Sequence, residues 1–554
     1  MYMNEQTTLR LPSIISDGMI LQRNKKVTIW GWDQPSQLIQ VSFEGQQKEH
    51  VTSLQGKWEI VLDTLPTGGP YQMIVKGSSK KIITDIYVGE VWLAGGQSNM
   101  EMELNRTLDL FEDDILQINN SLIREFHVPI SFDFHGPKEE EAEPSFWKTA
   151  TQESVQNFSA VAFYFAQKLQ KELQVPVGII MTAVGGTPAE AWLDKEDLEE
   201  MPAVMEELQQ LYDDEWVAST QKNDEARIQN WYETVNHKEN WEWASPEFDD
   251  SEWRELAIPT MFHQTELAGA AGSIWFRKTF HVENPDLFNN QSLLRLGAII
   301  DYDEAYLNGI LVGKTDYRYP PRRYPLPDNL LKQGENVLAV RVILNGKTGG
   351  FVPGKKYGIE SKLNYLDLQG KWKYKRSREI EEFSQMTFFH YKPTGLFNSM
   401  LYPIKNYTHN GFLFYQGESN TGQPENYARL LEAVILRWRK TWNDLELPFR
   451  YVQLPNYHEE MSFETDTRWA ELRQQQALVE TKIPQVAMTV SIDLGEGNDL
   501  HPQNKKDIGE RLAEDALQLA YHYSDLTIKP SNEMVSLISV WFFSLDPPSL
   551  LQIQ

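Results

Sequence analysis

Two patterns of apolar and polar positions divide the chain. Up to about residue 85, short alternating runs such as 27–33, 39–45 and 58–65 are separated by Asp, Pro, Gly and Ser. This pattern predicts short strands of a small β-sandwich. From Tyr87 the runs become almost continuously apolar, as in VGEVWLAGG, which is typical of strands buried on both faces. We therefore expect an N-terminal β-sandwich at 1–85 and a different fold after it.

Apolar runs and helical patterns alternate after residue 86. Apolar residues recur at spacings of three and four in four segments, which predicts amphipathic helices. Strands that alternate with helices indicate a parallel sheet with right-handed crossovers, so the expected fold class is α/β. The predicted helices are 158–173, 427–442, 469–479 and 505–521, and the predicted strands are 88–96, 123–128, 177–183, 411–415, 449–454 and 486–492.

This alternation stops between about 195 and 395. Residues 196–241 are acidic with a helical pattern, and the following stretch to about 364 is all-β, with Asn308-Gly309 as a hairpin signal. The simplest interpretation is a second β-sandwich inserted into a loop of the α/β domain. The predicted segments are an α/β domain in two parts at 86–240 and 376–528, an inserted β domain at 241–375 and a C-terminal tail at 529–554.

Composition narrows the classes of function. The 554 residues include 52 Lys and Arg against 79 Asp and Glu, a formal net charge of −27. Such an acidic surface repels phosphate groups, so we expect no nucleic-acid partner and no membrane partner. Cysteine is absent, which excludes disulfides, thiolate metal sites and a cysteine nucleophile. Without a signal-peptide pattern at its start, the chain is expected to be cytoplasmic.

Four groups of polar residues follow predicted strands of the sheet, where α/β proteins place their sites. Ser98 in GGQSNM follows one strand near the start of a helix, where backbone N–H groups can stabilise an oxyanion. Gly185 and Gly186 follow another strand and can offer an unobstructed N–H. Asn420, in QGESN, could donate a side-chain N–H to the same oxyanion, while Glu418 reads as a hydrogen-bonded structural carboxylate.

The fourth group contains the candidate general base. His501 lies in the loop NDLHP, and Pro502 begins the next helix, whose positive end disfavours the imidazolium. A base in this position benefits from a carboxylate that fixes its tautomer. Asp499 is the first candidate for that role and Asp493 is the reserve.

These blocks resemble a known family. GGQSNM, GGTPAEAW, QGESN and DLHP, in that order, resemble the blocks of the SGNH hydrolases, and more closely those of the sialate O-acetylesterase family of carbohydrate esterases. FDDSEW, SIWFRKTF, DYDEAYLNG and GENVLAVRV resemble the jelly-roll insert that many of these enzymes carry. The resemblance implies an SGNH-hydrolase (flavodoxin-like) catalytic domain with a parallel sheet and an inserted jelly-roll β-sandwich.

The resemblance also implies roles for individual residues. Ser98 would be the nucleophile, His501 the base and then acid, and Asp499 the carboxylate that orients it. Many SGNH enzymes place this Asp three residues before the His, where this chain has Asn498, so a Ser–His dyad or a role for Asp493 stays open. The oxyanion hole would combine the N–H of Ser98, an N–H of Gly185 or Gly186 and the side chain of Asn420. The expected substrate-binding residues are Gln97, Trp192, Gln416 and Glu418.

The function expected from this reading is removal of acetyl groups from carbohydrate hydroxyls through an acetyl-enzyme, without a metal or organic cofactor. O-acetyl sialate and O-acetylated hemicellulose are the two substrate candidates. A pocket for sialate should present Arg or Lys to its carboxylate, whereas a neutral saccharide needs no such group. Two alternatives stay open: a non-catalytic carbohydrate-binding protein, and a metal-dependent hydrolase using Asp493, Glu496, Asp499 and His501.

Overall fold

The computed structural model describes residues 8–288, 291–346, 348–457 and 467–521. The predicted tail at 529–554 lies outside these residues. Within the described ranges, no helix combines the length and the apolar character that crossing a bilayer needs.

A sheet with a parallel core organises the α/β part of the molecule. Among the seven described strands of the α/β part, five neighbouring pairs are parallel, and the short edge strand Trp147–Ala150 is antiparallel to its neighbour. The predicted mixed α/β architecture with parallel strands is thereby confirmed. In spatial order the strands are Val486–Thr489, Phe449–Val452, Gly411–Tyr415, Lys80–Gly96, Val177–Met181, Asn120–His127 and Trp147–Ala150.

The N-terminal strands are joined to this sheet through one long strand. Lys80–Gly96 pairs with Gly68–Lys76 in its first half and with the central strands in its second half. The predicted boundary at 85/86 therefore falls inside a continuous strand. The apolar residues of both regions form one core. The other N-terminal strands are Ile20–Gln22, Leu38–Phe43 and Gln46–Val51 in the same sheet, and Val27–Trp32 with Lys57–Leu62 as a separate pair.

Two long helices of the α/β part pack against each other next to the candidate active site. The helix Ala160–Leu173 begins where the Ser159 hydroxyl accepts the N–H of Ala162 at 3.1 Å. It packs on the helix Lys505–Ala520, and a Cβ on Gly509 would lie 2.5 Å from the carbonyl oxygen of Val161, so the close approach requires glycine there. The other helices of the α/β part are Ser98–Glu101, Leu108–Ile115, Tyr427–Thr441 and Arg468–Glu480.

The predicted acidic helical segment consists of three helices before the inserted β region. The longest begins at Asp214, after the carboxylate of Asp213 accepts the N–H of Trp216 at 3.0 Å. These helices are Lys195–Leu198, Pro202–Leu211 and Asp214–Asn236.

The inserted region forms two main antiparallel sheets around its own apolar core. Asn308 and Gly309 make the predicted turn between Tyr302–Leu307 and Ile310–Thr315. The predicted end of the insert at 375 falls inside the strand Gly370–Glu379. The larger sheet has the order Arg254–Ile258, Gly370–Glu379, Ala271–Val282, Gly334–Asn345, Tyr302–Leu307, Ile310–Thr315, and the smaller one Arg323–Pro325, Leu293–Leu296, Tyr357–Glu360, Tyr365–Asp367.

Ion pairs join the insert to the α/β part next to the carboxyl edge of the sheet. Arg295 and Arg323 both contact the carboxylate of Asp109, at 2.6 and 2.7 Å. Arg323 also pairs with Glu112 at 2.8 Å. Both arginine side chains are at most one tenth exposed, which makes these contacts stronger than surface pairs. The insert is thus fixed over the segment that follows the block GGQSNM.

Candidate active site

Ser98 lies at the carboxyl end of the long central strand. The strand ends at Gly96, whose φ of 124° and whose closeness to the carbonyl oxygen of Tyr415, 2.2 Å from a hypothetical Cβ, both require glycine. Ser98 then begins a single helical turn and is 9% exposed. The glycine turn therefore presents the serine hydroxyl at the edge of the sheet, as the sequence predicted.

The serine hydroxyl is in hydrogen-bonding contact with the predicted base. The Nε2 atom of His501 lies 2.8 Å from the Ser98 Oγ, although the two residues are 403 positions apart in the chain. Burial, and then the positive charges of Arg106 and Lys505, hold the pKa of His501 well below its usual range. The imidazole is therefore neutral at pH 7 and able to accept the serine proton.

Asp499 lies beside His501 but does not contact its ring. One carboxylate oxygen accepts the backbone N–H of His501 at 2.9 Å, and the other lies 3.0 Å from the ammonium of Lys355. Among the described residues the Nδ1 atom of His501 is buried without a hydrogen-bond partner. Asp493, the reserve candidate, forms a two-bond ion pair with Arg511. The structure thus brings Ser98 and His501 together as a dyad, and Asp499 supports the loop that carries the base.

The insert supplies three contacts to this histidine loop, residues 495–503. Lys355 bridges the carboxylates of Glu496 and Asp499. The side chain of Asn498 donates to the carbonyl oxygen of Pro353 at 2.6 Å. The ring of Tyr319 packs edge-to-face on His501 with centroids 4.4 Å apart. The insert therefore forms one wall of the site, which the sequence pattern did not indicate.

Gly185 is the glycine that faces the serine. A Cβ on Gly185 would lie 3.5 Å from the Cβ of Ser98, and its backbone N–H donates to the carboxylate of Glu101. Burial raises the pKa of Glu101. Gly186 has a φ of 77°, and its carbonyl oxygen accepts the hydroxyl of Ser419 at 2.8 Å. Of the two predicted donors, Gly185 is therefore the one placed beside Ser98.

Asn420 is held in one orientation by its neighbours. Its side-chain oxygen accepts the backbone N–H of Ala189 at 3.0 Å and an N–H of Gln416 at 2.7 Å. Its side-chain nitrogen donates to Glu190 at 2.9 Å. Because two N–H donors bind the side-chain oxygen, the amide group of Asn420 has one orientation. Its nitrogen carries two hydrogens, and the contact with Glu190 uses one of them. An amide held in this way can donate its second N–H to a neighbouring acceptor.

The predicted substrate-binding residues are mostly buried supports. The side-chain oxygen of Gln97 accepts the backbone N–H of Ser419 at 3.3 Å, and both Gln97 and Gln416 are at most 2% exposed. Trp192 is fully buried, packs edge-to-face with Trp438, and donates to the Thr187 hydroxyl at 3.1 Å. The expectation that Trp192 binds substrate is corrected: it is a core residue, because its side chain is fully buried.

Glu418 is the hydrogen-bonded structural carboxylate that the sequence predicted, and it belongs to a buried network that sequence reasoning did not identify. Its carboxylate accepts the side-chain N–H of Asn99 at 2.5 Å, and the Asn99 oxygen accepts from Lys505 at 2.6 Å. Asn99 also donates to the carbonyl oxygen of Leu500, in the histidine loop, at 3.0 Å. Burial raises the pKa of Glu418 and lowers that of Lys505 to about 7. Asn99 thus ties the serine turn to the histidine loop.

The carboxylates of the metal alternative are engaged by cations. Asp493 pairs with Arg511, and Asp499 and Glu496 share Lys355. In the described part of the chain, no group of three or more His, Cys, Asp or Glu side chains has an arrangement that could hold a metal ion. The residues of this loop therefore do not fit a metal centre.

Comparisons with known proteins agree with the family resemblance. Residues 378–518, which include Asn420 and His501, match the family described as carbohydrate esterase, sialic acid-specific acetylesterase. The human sialate O-acetylesterase is 30% identical over 203 residues, which are 33% of this chain and 38% of that protein. The rat sialate O-acetylesterase is 28% identical over 206 residues, 34% of this chain and 38% of its own. The matched part thus spans less than half the length of these relatives.

A solved structure shares the overall fold. A carbohydrate acetylesterase from Xanthomonas citri superposes with a TM-score of 0.56 over 93% of this chain and 76% of its own, at 23% sequence identity. The resemblance to sialate O-acetylesterases and other carbohydrate esterases that the four sequence blocks predicted is confirmed by these matches.

Proposed function

We propose that this chain is a serine-dependent O-acetylesterase of carbohydrates, with an SGNH-type catalytic domain and a jelly-roll insert. The observation that carries the proposal is the 2.8 Å contact between the Ser98 hydroxyl and the Nε2 atom of His501, with Gly185 beside the serine. The similarity to carbohydrate esterases supports the substrate class.

The first half of the reaction acylates Ser98. His501 accepts the proton of the hydroxyl while the oxygen attacks the acetyl carbonyl carbon. The negative oxygen that forms is stabilised by the N–H groups of Ser98 and Gly185 and by the amide of Asn420. The carbonyl oxygen takes over the Gly185 N–H from Glu101 as the substrate binds. His501 then donates its proton to the sugar oxygen, the C–O bond breaks, and the sugar leaves with its free hydroxyl.

The second half restores the enzyme. Water attacks the acetyl carbon of the ester on Ser98, and His501 accepts its proton. The same three donors stabilise the second tetrahedral intermediate. Its collapse breaks the bond to the Ser98 oxygen, which takes the proton back from His501, and acetic acid leaves and loses its proton to solvent as acetate. The low pKa of His501 keeps the base neutral at the start of each half.

In this scheme no carboxylate of the described residues accepts a hydrogen bond from the His501 ring. The loop that carries it is held instead by Asp499, through the backbone N–H, and by Lys355. The edge of Tyr319 limits the rotation of the imidazole from the side of the insert. These contacts supply the fixed orientation that an Asp supplies in a triad.

Neither alternative explains the arrangement as well. A protein that only binds carbohydrate has no need for a buried serine aligned with a neutral imidazole and fixed amide donors. A metal-dependent hydrolase would need Asp493 and Asp499 free of the cations with which they pair.

The test compares acetate release by wild type and Ser98→Ala from a panel of O-acetylated sugars and from 4-nitrophenyl acetate. Ser219→Ala, on an exposed helix position, is the matched control. We expect release by wild type and by Ser219→Ala, inhibition by a serine-directed phosphonate, and loss of roughly a thousandfold or more in Ser98→Ala. Activity that survives Ser98→Ala, or wild type that releases no acetate from any substrate, would overturn the proposal.

A further inference from the structure

A pocket of about 340 Å³ lies between the inserted β region and the histidine loop. Asn498, Asp499 and Leu500, which directly precede the proposed base, form its wall on the side of the loop. The rest of the wall comes from the insert and from Tyr457. The volume is within the range of small-ligand sites. The apolar and aromatic lining residues include Met261, Ile300, Tyr319, Val352, Tyr457 and Leu500.

The pocket lies on the same side of Ser98 as the proposed base. In the order of the sheet, the strands Phe449–Val452 and Val486–Thr489 are on one side of the strand that leads to Ser98. Tyr457 follows the first of these strands, and the histidine loop follows the second. In the proposed reaction His501 protonates the leaving sugar oxygen. The leaving sugar therefore lies on this side of the acetyl group, towards the pocket.

Tyr319 connects the pocket with the base. Its ring packs edge-to-face on His501 with centroids 4.4 Å apart, and the same residue lines the pocket. Apart from the buried Ala298, every lining residue keeps accessible surface. The pocket thus adjoins the expected place of the leaving sugar and offers side-chain surface that a ligand can contact.

The lining favours a neutral ring with an apolar face. Apolar and aromatic side chains prevail in it, and aromatic side chains pack well on flat apolar surfaces. The arginine and the aspartate of the wall are already paired. Arg318 donates to the carboxylate of Asp301 at 2.7 Å. Asp499 lies 3.0 Å from the ammonium of Lys355. A charged ligand would have to compete with these ion pairs, whereas a neutral ring leaves them intact.

We propose that this pocket binds a neutral ring that is joined to the acetylated sugar, so that the enzyme prefers substrates larger than a monosaccharide. The ring is a second neutral sugar residue or an aromatic aglycone, since both present an apolar face to aromatic side chains. The inference rests on the proposed esterase function and adds to it a second binding site, to which the insert contributes.

The experiment compares substrates that carry the same acetyl group on the same sugar. The reference is the methyl glycoside of the acetylated monosaccharide that the sugar panel identifies as the best substrate. The extended substrates are its phenyl glycoside and the disaccharides that place a neutral sugar at each available position of the acetylated one. The phenyl glycoside and the disaccharides distinguish the two sources of the ring. The readout is the ratio of kcat/KM for each extended substrate to that for the methyl glycoside.

Two variants fill the pocket from different segments of the insert. They are Val352→Phe and Met261→Trp, which replace lining side chains by larger ones. The matched control is Leu311→Phe, because Leu311 is 47% exposed on the edge strand Ile310–Thr315 of the insert. Hydrolysis of 4-nitrophenyl acetate, which is too small to reach both sites, reports the basal reaction of each variant.

We expect wild type and Leu311→Phe to prefer at least one extended substrate over the methyl glycoside by about 10- to 100-fold, mainly through a lower KM. Val352→Phe and Met261→Trp should bring this ratio near one. They should leave kcat/KM for the methyl glycoside and for 4-nitrophenyl acetate within about twofold of wild type, because the pocket holds none of the proposed catalytic groups.

A wild type without preference for any extended substrate would overturn the proposal. Filled variants that keep the wild-type ratio would also overturn it, including variants that lose activity equally on all substrates. Failure of the esterase function itself looks different, because 4-nitrophenyl acetate hydrolysis would then survive Ser98→Ala, or wild type would release no acetate from the methyl glycoside or any other substrate.

Discussion

One of the three contacts between the insert and the histidine loop, the pair of ion pairs made by Lys355, can be removed by a single substitution, Lys355→Met. The ammonium of Lys355 bridges Glu496 and Asp499, and Asp499 in turn accepts the backbone N–H of His501. Methionine has a similar length and leaves two carboxylates facing each other without a cation. The loop then loses the charge that holds it against the insert.

The size of the effect follows from burial. Removing one partner of a fully buried ion pair costs about 3–5 kcal/mol. The side chains of Lys355 and Asp499 are 13% exposed and that of Glu496 is 31% exposed, so water offsets part of this loss and about 2–3 kcal/mol is the expected local cost. A displacement of His501 by about an ångström lowers turnover by about 100-fold. We therefore expect kcat to fall about 10- to 100-fold, with KM changed far less.

Steady-state kinetics on 4-nitrophenyl acetate measure the fall in kcat. Thermal unfolding measures the loss of stability separately. Lys356→Met is the matched control, because Lys356 is the next residue, is 56% exposed and pairs with Glu360. Its loss should cost at most about 0.5 kcal/mol and leave kcat unchanged. If Lys355→Met, assayed well below its unfolding temperature, keeps the kcat of Lys356→Met, the insert does not position the base.

Two further predictions concern the site itself. Asn420→Ala should lower kcat about 100- to 1000-fold, because one oxyanion donor is lost, with thermal unfolding as the control for folding; an unchanged kcat would remove Asn420 from the oxyanion hole. The kcat/KM of wild type should stay constant from high pH down to about 6.5 and decline only below, because burial and nearby cations lower the pKa of His501. Lys505→Met removes one of those cations, so its acid limb should move to higher pH; a limb that stays or moves lower contradicts this electrostatic role.

Local patterns were sufficient to predict the parallel strands of the central sheet and the four long helices beside it. The apolar run before Ser98 and the helical spacing at 505–521 led to a strand and a helix close to those observed, Lys80–Gly96 and Lys505–Ala520. The extent of the long strand was not predictable, because its first half alternates like an exposed strand and only its pairing joins the two regions. Domain boundaries depend on such pairings.

The proposed catalytic residues were easier to predict than the residues that support them. Ser98 and His501 stand in glycine- and proline-marked turns at strand ends, which is a local signal. Lys355 and Tyr319 belong to the insert, and no local pattern connects them with a loop more than 140 residues away. Asn99 stood within the first block, and its role became visible only through its contacts with Glu418 and Lys505.

Trp192 shows a different limit of sequence-based prediction, because a local signal was present but had two interpretations. A tryptophan just after a glycine loop fits both a sugar platform and a core residue, and the sequence does not distinguish them. In the fold, the ring lies under the glycine loop against Trp438, and its N–H finds a partner in Thr187. Burial of a large aromatic side chain with a satisfied N–H is a common solution in protein cores.

The most direct measurement is intact-protein mass spectrometry of the enzyme quenched during turnover of 4-nitrophenyl acetate, with peptide mapping of any adduct. The account predicts a transient acetyl group on the peptide that contains Ser98. It also predicts that this adduct is absent in Ser98→Ala. The adduct should accumulate when the attack of water on the Ser98 acetyl ester is slowed. Turnover at the full wild-type rate with no acetylated peptide at any quench time, or with the acetyl group on another residue, would contradict it.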